Sequence, residues 1–125
     1  MNARLSSDLL RGHTDTIVLS ILSSRDAYGF EIYNTILERT DGAYELKETT
    51  LYSSYKRLEA EGCVSSYWGD ETQGGRRRYY SITEKGREVL SRNLLDWQFT
   101  QKILKTLLPA PAGMAVNGWT DAPPV

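Results

Sequence analysis

The sequence feature that most constrains the fold is a long helical pattern near the C-terminal end of the chain. Over residues 84–107, apolar side chains recur at a spacing of about 3.5 residues, which predicts one helix about twice the average length. The main apolar stripe comprises Leu90, Leu94, Trp97, Leu104 and Leu108, with Gln101 at the step where the stripe is interrupted. A second stripe comprises Val89, Leu95, Phe99, Ile103 and Leu107.

A small domain cannot cover two apolar stripes of one long helix. We therefore expect one stripe to cover the core of the chain and the other to meet a second copy in a symmetric homodimer. The predicted dimer interface comprises Leu90, Leu94, Trp97, Leu104 and Leu108. The alternative, in which both stripes fold back on their own chain, stays open.

The pattern upstream of residue 84 predicts three helices followed by a β-hairpin. The helices are expected at residues 5–23, 27–40 and 48–61, and Gly42 and Gly62 are expected to end the second and third. The strand-like runs "CVSSYW" and "RRRYYSI" flank the loop "GDETQGG", and Thr83 suits the N-cap of the last helix. The predicted fold class is mainly α with a small β-hairpin. It comprises a winged helix-turn-helix domain at residues 1–83, a dimerisation helix at 84–108 and a flexible tail at 109–125 that is rich in proline and glycine.

The composition narrows the class of protein. A chain of 125 residues fits one domain, and it holds no apolar run near the roughly 18 residues of a membrane helix. The single cysteine, Cys63, allows no internal disulfide, so we expect a cytoplasmic protein without a membrane partner, in which Cys63 is a buried small hydrophobe. The one histidine, His13, lies in a predicted helix, and no catalytic or metal-binding set is visible, so we expect no enzyme and no cofactor.

The third predicted helix carries two contrasting faces. Leu51, Tyr55 and Leu58 share the apolar face. The opposite face offers hydrogen-bonding and basic groups, which are Thr49, Ser53 and Lys56, with Tyr52 and Arg57 at its flanks. Such a helix fits the DNA major groove, where these side chains can meet base edges and phosphates. An ordinary solvated face is the alternative.

Three consecutive arginines open the second strand-like run. Strand alternation places Arg76 and Arg78 on one face and Arg77 on the other, so at least one of them cannot lie beneath the sheet. Arginine is well suited to bind phosphate and to enter a narrow minor groove. The net charge of −1 does not favour nucleic acid, but a local basic patch on a neutral protein is compatible with it. An edge strand protected from aggregation by its charge is the alternative.

Three stretches together resemble the PadR family of bacterial transcriptional regulators. They are "AYGFEIYNTI", "ETTLYSSYKRLEAEG" and "SSYWGDETQGGRRRYYSITEKG". With its single long C-terminal helix, the chain is similar to the small subfamily-2 members. The resemblance implies a dimeric winged-helix repressor that binds a palindromic operator in double-stranded DNA and leaves it on sensing a small molecule.

The resemblance also implies roles for individual residues. Lys47 stands where relatives often have Asn or Ser, and it cannot cap the recognition helix through a side-chain oxygen. The implied DNA contacts are Thr50, Tyr52, Ser53, Lys56 and Arg57 in the recognition helix, Tyr28 and Gly29 at the start of the supporting helix, and Arg76 and Arg77 in the wing.

The effector site implied by the resemblance centres on Trp97. In the multidrug-sensing branch, a tryptophan at this position lines a pore at the dimer interface and stacks on flat aromatic ligands. Gln101, one turn further on, stands where a relative has an acidic residue, and we assign both residues to ligand binding. An ordinary core or interface tryptophan is the alternative reading of Trp97.

Two other functions remain as alternatives. One is a winged-helix module for protein assembly, in which the wing meets an acidic partner. The other is a ligand-binding protein without regulatory DNA binding.

Overall fold

The structure, a computed structural model, describes residues 4–70 and 75–111. It confirms the mainly helical fold with a small sheet and a long last helix. The elements are a 3₁₀ helix at Ser7–His13, α1 at Thr14–Leu22, β1 at Ala27–Tyr28, α2 at Gly29–Arg39, α3 at Glu48–Ala60, β2 at Val64–Trp68, β3 at Arg78–Ile82 and α4 at Glu84–Leu107.

The first predicted helix is divided in two. The 3₁₀ helix begins after Ser6, whose side-chain oxygen accepts a hydrogen bond of 3.2 Å from the backbone N–H of Asp8. Gly12 and His13 end it, and regular α-helix starts only at Thr14. Glycine is a poor helix former, and the dense apolar pattern that buries a helix begins only after it, at Ile17.

The sheet has three antiparallel strands in the order β1-β3-β2. The predicted hairpin is confirmed as β2 and β3, where Val64 pairs with Ile82 and Trp68 pairs with Arg78. The strand β1 was assigned to the second helix in the sequence reading. It has only two residues, which is too short to show a strand pattern, and it forms because Ala27 and Tyr28 pair with Tyr80 and Tyr79 of β3.

Residues in the left-handed region end α2 and α3, and both predicted glycines are among them; at the end of α2, Asp41 with φ +50° precedes Gly42. Gly42 has φ +77° and donates its N–H to the carbonyl of Leu37 at 2.8 Å. Gly62 has φ +78°, and Cys63 after it donates to the carbonyl of Leu58 at 2.8 Å, which closes a Schellman turn. Helix α3 therefore ends at a fixed place, and the chain turns directly into β2.

One core joins the first three α-helices, the sheet and the start of α4. Cys63 is only 1 % exposed and burial raises the pKa of its thiol, which confirms the prediction of a buried small hydrophobe. Leu90 is 8 % exposed and packs into the same core. Its own chain therefore covers Leu90, and the predicted assignment of this residue to a dimer interface needs correction.

The chain forms two compact units that divide within α4, after Ser91. In the second unit, which begins at Arg92, the apolar side chains of both stripes are exposed; they are Leu94, Leu95, Trp97, Phe99, Ile103, Leu104, Leu107 and Leu108. The predicted domain bounds at residues 83 and 108 stay a prediction. Most of the predicted tail, residues 112–125 with Trp119, lies outside the described residues.

The described residues contain neither a membrane-spanning helix nor a cluster of metal ligands. Across residues 4–70 and 75–111, each helix is too short or too polar to cross a membrane. In the same part of the chain, His, Cys, Asp and Glu side chains form no group that could hold a metal ion.

Thr83 and Gly86 fix the start of α4 against the end of α3. The Thr83 hydroxyl accepts a hydrogen bond of 3.0 Å from the N–H of Gly86, which confirms the predicted N-cap. The same hydroxyl donates to the carbonyl of Gly62 at 2.7 Å. A Cβ atom at Gly86 would lie 2.1 Å from the carbonyl oxygen of Cys63, so α4 packs here directly on backbone.

We expect Gly86→Ala to destabilise the fold, because its methyl group would overlap the Cys63 carbonyl at 2.1 Å. Forced overpacking of this kind costs about 1–3 kcal/mol, although alanine is otherwise the better helix former. Urea denaturation at matched protein concentration measures the loss. Gly12→Ala is the control, since a Cβ there meets nothing within 4 Å. Equal stability of Gly86→Ala and the wild type would contradict this packing.

Candidate nucleic-acid interface

Helix α3 presents the polar face that the sequence predicts. It starts after Lys47, which makes no side-chain cap hydrogen bond, and it buries Leu51, Ser54, Tyr55 and Leu58. The exposed face comprises Thr49, Thr50, Tyr52, Ser53 and Lys56. The Lys56 Nζ lies 5.6 Å from the centroid of the Tyr52 ring, so an ammonium and an aromatic ring stand together on this face.

A hydrogen-bonded carboxylate ties α3 to α1. Arg57 binds both oxygens of Asp15, with Nε to Oδ2 at 2.9 Å and Nη2 to Oδ1 at 2.6 Å. The Ser54 hydroxyl donates to Asp15 Oδ1 at 2.6 Å. Burial raises the pKa of Asp15, but the hydrogen bonds from Arg57 and Ser54 outweigh it and hold this pKa below its usual value.

This network gives Arg57 a structural role. Its guanidinium binds Asp15, and its side chain is 49 % exposed, so the DNA contact implied by the resemblance stays a prediction. Helical spacing could not reveal the pair, because Asp15 lies in another helix, 42 residues away. Arg57 therefore helps to set the position of α3 against α1. The same contact helps to orient the exposed polar face of α3.

The three wing arginines have three different surroundings. Arg78 binds an acid and a hydroxyl of its own chain: its Nη2 lies 2.8 Å from Ser66 Oγ and 3.3 Å from Glu59 Oε1. Ser66 Oγ in turn donates to Glu59 Oε2 at 2.7 Å. Because Glu59 belongs to α3 and Ser66 to β2, Arg78 fastens the wing to the recognition helix.

The other two arginines lie on aromatic rings. The Cζ of Arg76 is 5.7 Å from the centroid of Trp68, and that of Arg77 is 4.7 Å from the centroid of Tyr28. Arg78 also lies near Trp68, at 6.0 Å, so Arg76 and Arg78 share one side and Arg77 the other, in the order that strand alternation predicts. The rings hold these guanidinium groups without neutralising their charge.

A groove of about 360 Å³ separates the recognition helix from the wing. Its lining comprises Tyr28, Gly29, Glu48, Leu51, Tyr52, Tyr55, Arg77, Arg78 and Tyr80. The start of α2 also reaches this groove, and there the Glu31 carboxylate accepts a hydrogen bond of 3.3 Å from the Tyr28 N–H. The groove thus combines two arginines, the carboxylates of Glu48 and Glu31, several phenol rings and the N-terminal end of a helix.

Tyr55 is the most buried polar group of this groove. It is 4 % exposed, and its ring lies 4.6 Å from the ring of Tyr80 in the wing. Among the described residues its hydroxyl has no hydrogen-bond partner, and burial raises its pKa, so it stays a neutral phenol. Tyr55 and Tyr80 form the floor of the groove and keep the wing at a fixed distance from α3.

The structure therefore divides the predicted site residues into groups. Tyr28, Gly29, Tyr52 and Arg77 meet in the groove. Thr49, Thr50, Ser53 and Lys56 lie on the exposed face of α3. Arg76 lies on Trp68, and Trp97 and Gln101 belong to the second unit, where both are exposed. The sequence reading missed Asp15, Glu59 and Ser66, whose partners are distant in sequence.

Comparisons with known proteins agree with this geometry. The profile of the family described as "Transcriptional regulator PadR-like family" matches residues 18–92. A Lysinibacillus sphaericus protein named "Uncharacterized protein X" is 40 % identical over 98 residues, which cover 78 % of this chain and 90 % of that protein.

Solved structures extend the comparison. A transcriptional regulator from Clostridium thermocellum is 46 % identical, with a TM-score of 0.74, over 80 % of this chain and 94 % of that one. A PadR family transcription regulator from Clostridium difficile is 35 % identical, with a TM-score of 0.68, over 76 % of this chain and 97 % of that one. A PadR family transcriptional regulator from Eggerthella lenta is 30 % identical, with a TM-score of 0.72, over 83 % of this chain and 88 % of that one.

Proposed function

Because this chain belongs to the PadR-like family of transcriptional regulators, we propose that it is a dimeric repressor that a small aromatic molecule releases from a palindromic operator. The family consists of transcriptional regulators and not of enzymes. The observation that carries the proposal is the exposed polar face of α3 beside the ring-supported Arg77 of the wing.

The recognition helix is the element that reads sequence. An α-helix fits the major groove, where hydroxyl and ammonium groups reach base edges and phosphates. Thr49, Thr50 and Ser53 supply hydroxyls, and Lys56 supplies an ammonium group on the same exposed face. At the flank of this face, Arg57 binds Asp15 of α1, so the face is presented in one orientation.

The wing supplies contacts to the DNA backbone. Arg77 borders the groove that contains the start of α2, and a phosphate placed there would meet both a guanidinium and the positive end of a helix. Arg76 extends the charge on the other side of the wing, beside Trp68. Contacts of this kind position the protein on any duplex and do not depend on its sequence.

Arg77→Ala should weaken binding to every duplex. Loss of one phosphate contact lowers the slope of log K against log salt by about 0.9. Fluorescence anisotropy with a specific and an unrelated duplex, at several salt concentrations, measures both effects. Arg39→Ala is the matched charge control, because Arg39 ends α2, roughly 15 Å of helix away from the groove. A salt slope equal to that of the wild type would refute the contact.

Exposed apolar surface on α4 supports the homodimer. In the second unit Leu94, Trp97, Leu104 and Leu108 form one stripe, and Leu95, Phe99, Ile103 and Leu107 form another nearly opposite to it. All eight side chains are exposed. Leu5 and Leu9 of the N-terminal segment are exposed too, and in a symmetric pair they could cover the second stripe of the partner. Two copies would space their recognition helices about one turn of duplex, roughly 34 Å, apart.

Leu104→Glu should convert the dimer into a monomer, because it places a charge in the proposed interface. Sedimentation equilibrium should give twice the chain mass of 14.2 kDa for the wild type and the single mass for the variant. Gln98→Glu is the control, since Gln98 lies between the two stripes and receives the same charge. A wild-type protein that sediments as one chain at micromolar concentration would exclude the proposed dimer.

Trp97 carries the proposed response to a ligand. Its side chain is 37 % exposed, and Gln101 lies one turn further along the same stripe. In a symmetric dimer, two facing indoles would form a slot suited to flat aromatic molecules. A ligand releases DNA only if it binds the non-binding arrangement of the two recognition helices more tightly.

The aromatic probe anilinonaphthalene sulfonate should bind the wild-type protein and lower its affinity for DNA. Trp97→Ala should weaken probe binding about two- to tenfold, the range of one aromatic stacking contact, and should protect the DNA complex from the probe. Probe fluorescence and a titration of the preformed complex measure the two effects. Phe99→Ala removes an aromatic ring from the other stripe and is the control. Undiminished DNA affinity at saturating probe would contradict coupled release.

A further inference from the structure

Three tyrosines cross the outer face of the sheet, one from each strand. Tyr79 of β3 pairs directly with Tyr28 of β1 and with Tyr67 of β2. The rings of Tyr67 and Tyr79 are stacked, with centroids 5.6 Å apart and planes at 11°. Tyr79 meets Tyr28 edge to face, at 5.4 Å and 74°. The three rings form a continuous row, here called the tyrosine row, on the face opposite buried Ala27, Val64 and Tyr80.

A hydrogen bond fastens one end of the tyrosine row. The Tyr67 hydroxyl donates to Asp26 Oδ2 at 2.6 Å. Asp26 lies just before β1, and β3 lies between β1 and β2, so this bond spans the width of the sheet. The bond to the carboxylate raises the pKa of Tyr67 to about 12, and Tyr67 therefore remains a donor at ordinary pH.

The other end of the tyrosine row supports the wing arginine. Arg77 lies just before β3, and its backbone carbonyl accepts a hydrogen bond of 2.6 Å from the Gly69 N–H. Its guanidinium lies 4.7 Å from the centroid of the Tyr28 ring. The Tyr28 ring packs in turn against Tyr79, and Tyr79 packs against Tyr67.

We propose that Tyr67 and Asp26 are positioning residues for DNA binding: their hydrogen bond holds the tyrosine row, and the row presents the Arg77 guanidinium to the duplex. Neither residue touches the groove between α3 and the wing. Arginine loses side-chain entropy when it is immobilised on a phosphate, and a guanidinium already seated on a ring loses less. This inference rests on the Arg77 contact proposed above.

A double-mutant cycle separates positioning from a general effect on folding. Tyr67→Phe keeps the ring and removes only the hydroxyl, so we expect DNA affinity to fall about three- to tenfold, the size of a typical coupling. In an Arg77→Ala background the same change should cost nothing further. Asp26→Ala should match Tyr67→Phe, and Asp26→Asn should lose less, because its amide oxygen still accepts a hydrogen bond.

Tyr33→Phe is the matched control. It removes another tyrosine–carboxylate hydrogen bond, from Tyr33 to Glu45, that lies away from the wing. We expect Tyr33→Phe to leave DNA affinity unchanged even if both variants lose similar thermal stability. A loss of affinity common to Tyr33→Phe and Tyr67→Phe would show that only stability matters, and it would overturn the proposal.

One readout needs no DNA. In the free protein, Tyr67→Phe should shift or broaden the NMR signal of the Arg77 Nε–H, and Tyr33→Phe should leave it in place. An unchanged Arg77 signal, or an equal loss of affinity with and without Arg77, overturns the role of Tyr67 and Asp26 alone. An Arg77→Ala variant that binds DNA with wild-type affinity instead removes the proposed wing contact itself.

Discussion

The junction between the carbonyl of Cys63 and the first turn of α4 is the constraint on which the rest of the structure depends. That carbonyl accepts the N–H of Thr83 at 3.0 Å, and Gly86 passes so close that a single methyl group would overlap it. The end of the recognition helix, both ends of the wing and the start of the long helix all meet within these few residues. Cys63 itself is buried there as an apolar side chain, which leaves the backbone to make the contacts.

This junction fixes the C-terminal end of α3 against α4. Two ion pairs fix α3 against α1 and against the wing. Arg57 binds Asp15 of α1, and Arg78 of the wing binds Glu59. Both pairs are partly exposed, so neither contributes much stability by itself, but each is shared with a serine hydroxyl and has a defined geometry. Their main effect is orientation. In this chain of net charge −1, Arg57 and Arg78 therefore orient α3 and the wing, which carry other basic side chains.

A division of labour among the three wing arginines follows. Arg78 is neutralised by an acid, whereas Arg76 and Arg77 rest on the rings of Trp68 and Tyr28. A ring supports a guanidinium group without placing an opposite charge on it. In the second unit, the exposed apolar stripes are the surface that the proposed homodimer would cover.

Local features of the sequence were sufficient for much of the fold. Helical periodicity predicted α2, α3 and α4. Gly42 and Gly62 predicted where two helices end, and Thr83 predicted the cap of the last helix. Each of these signals acts over a few residues, so the sequence shows it directly. Alternation also separated Arg77 from its two neighbours. The two-residue strand β1 could not be predicted in this way, since it exists only because β3 lies beside it.

The sequence alone determined which side chains stand on the polar face of α3, because helix geometry sets the faces once the helix is known. It also determined that α4 carries more apolar surface than one small domain can cover. Only the tertiary structure decided that Arg57 turns to Asp15, that Leu90 joins the core of its own chain and that Tyr67 reaches Asp26 across the sheet. Each of these depends on a partner about 40 residues away or in another layer of the fold, and periodicity holds no information about such distances.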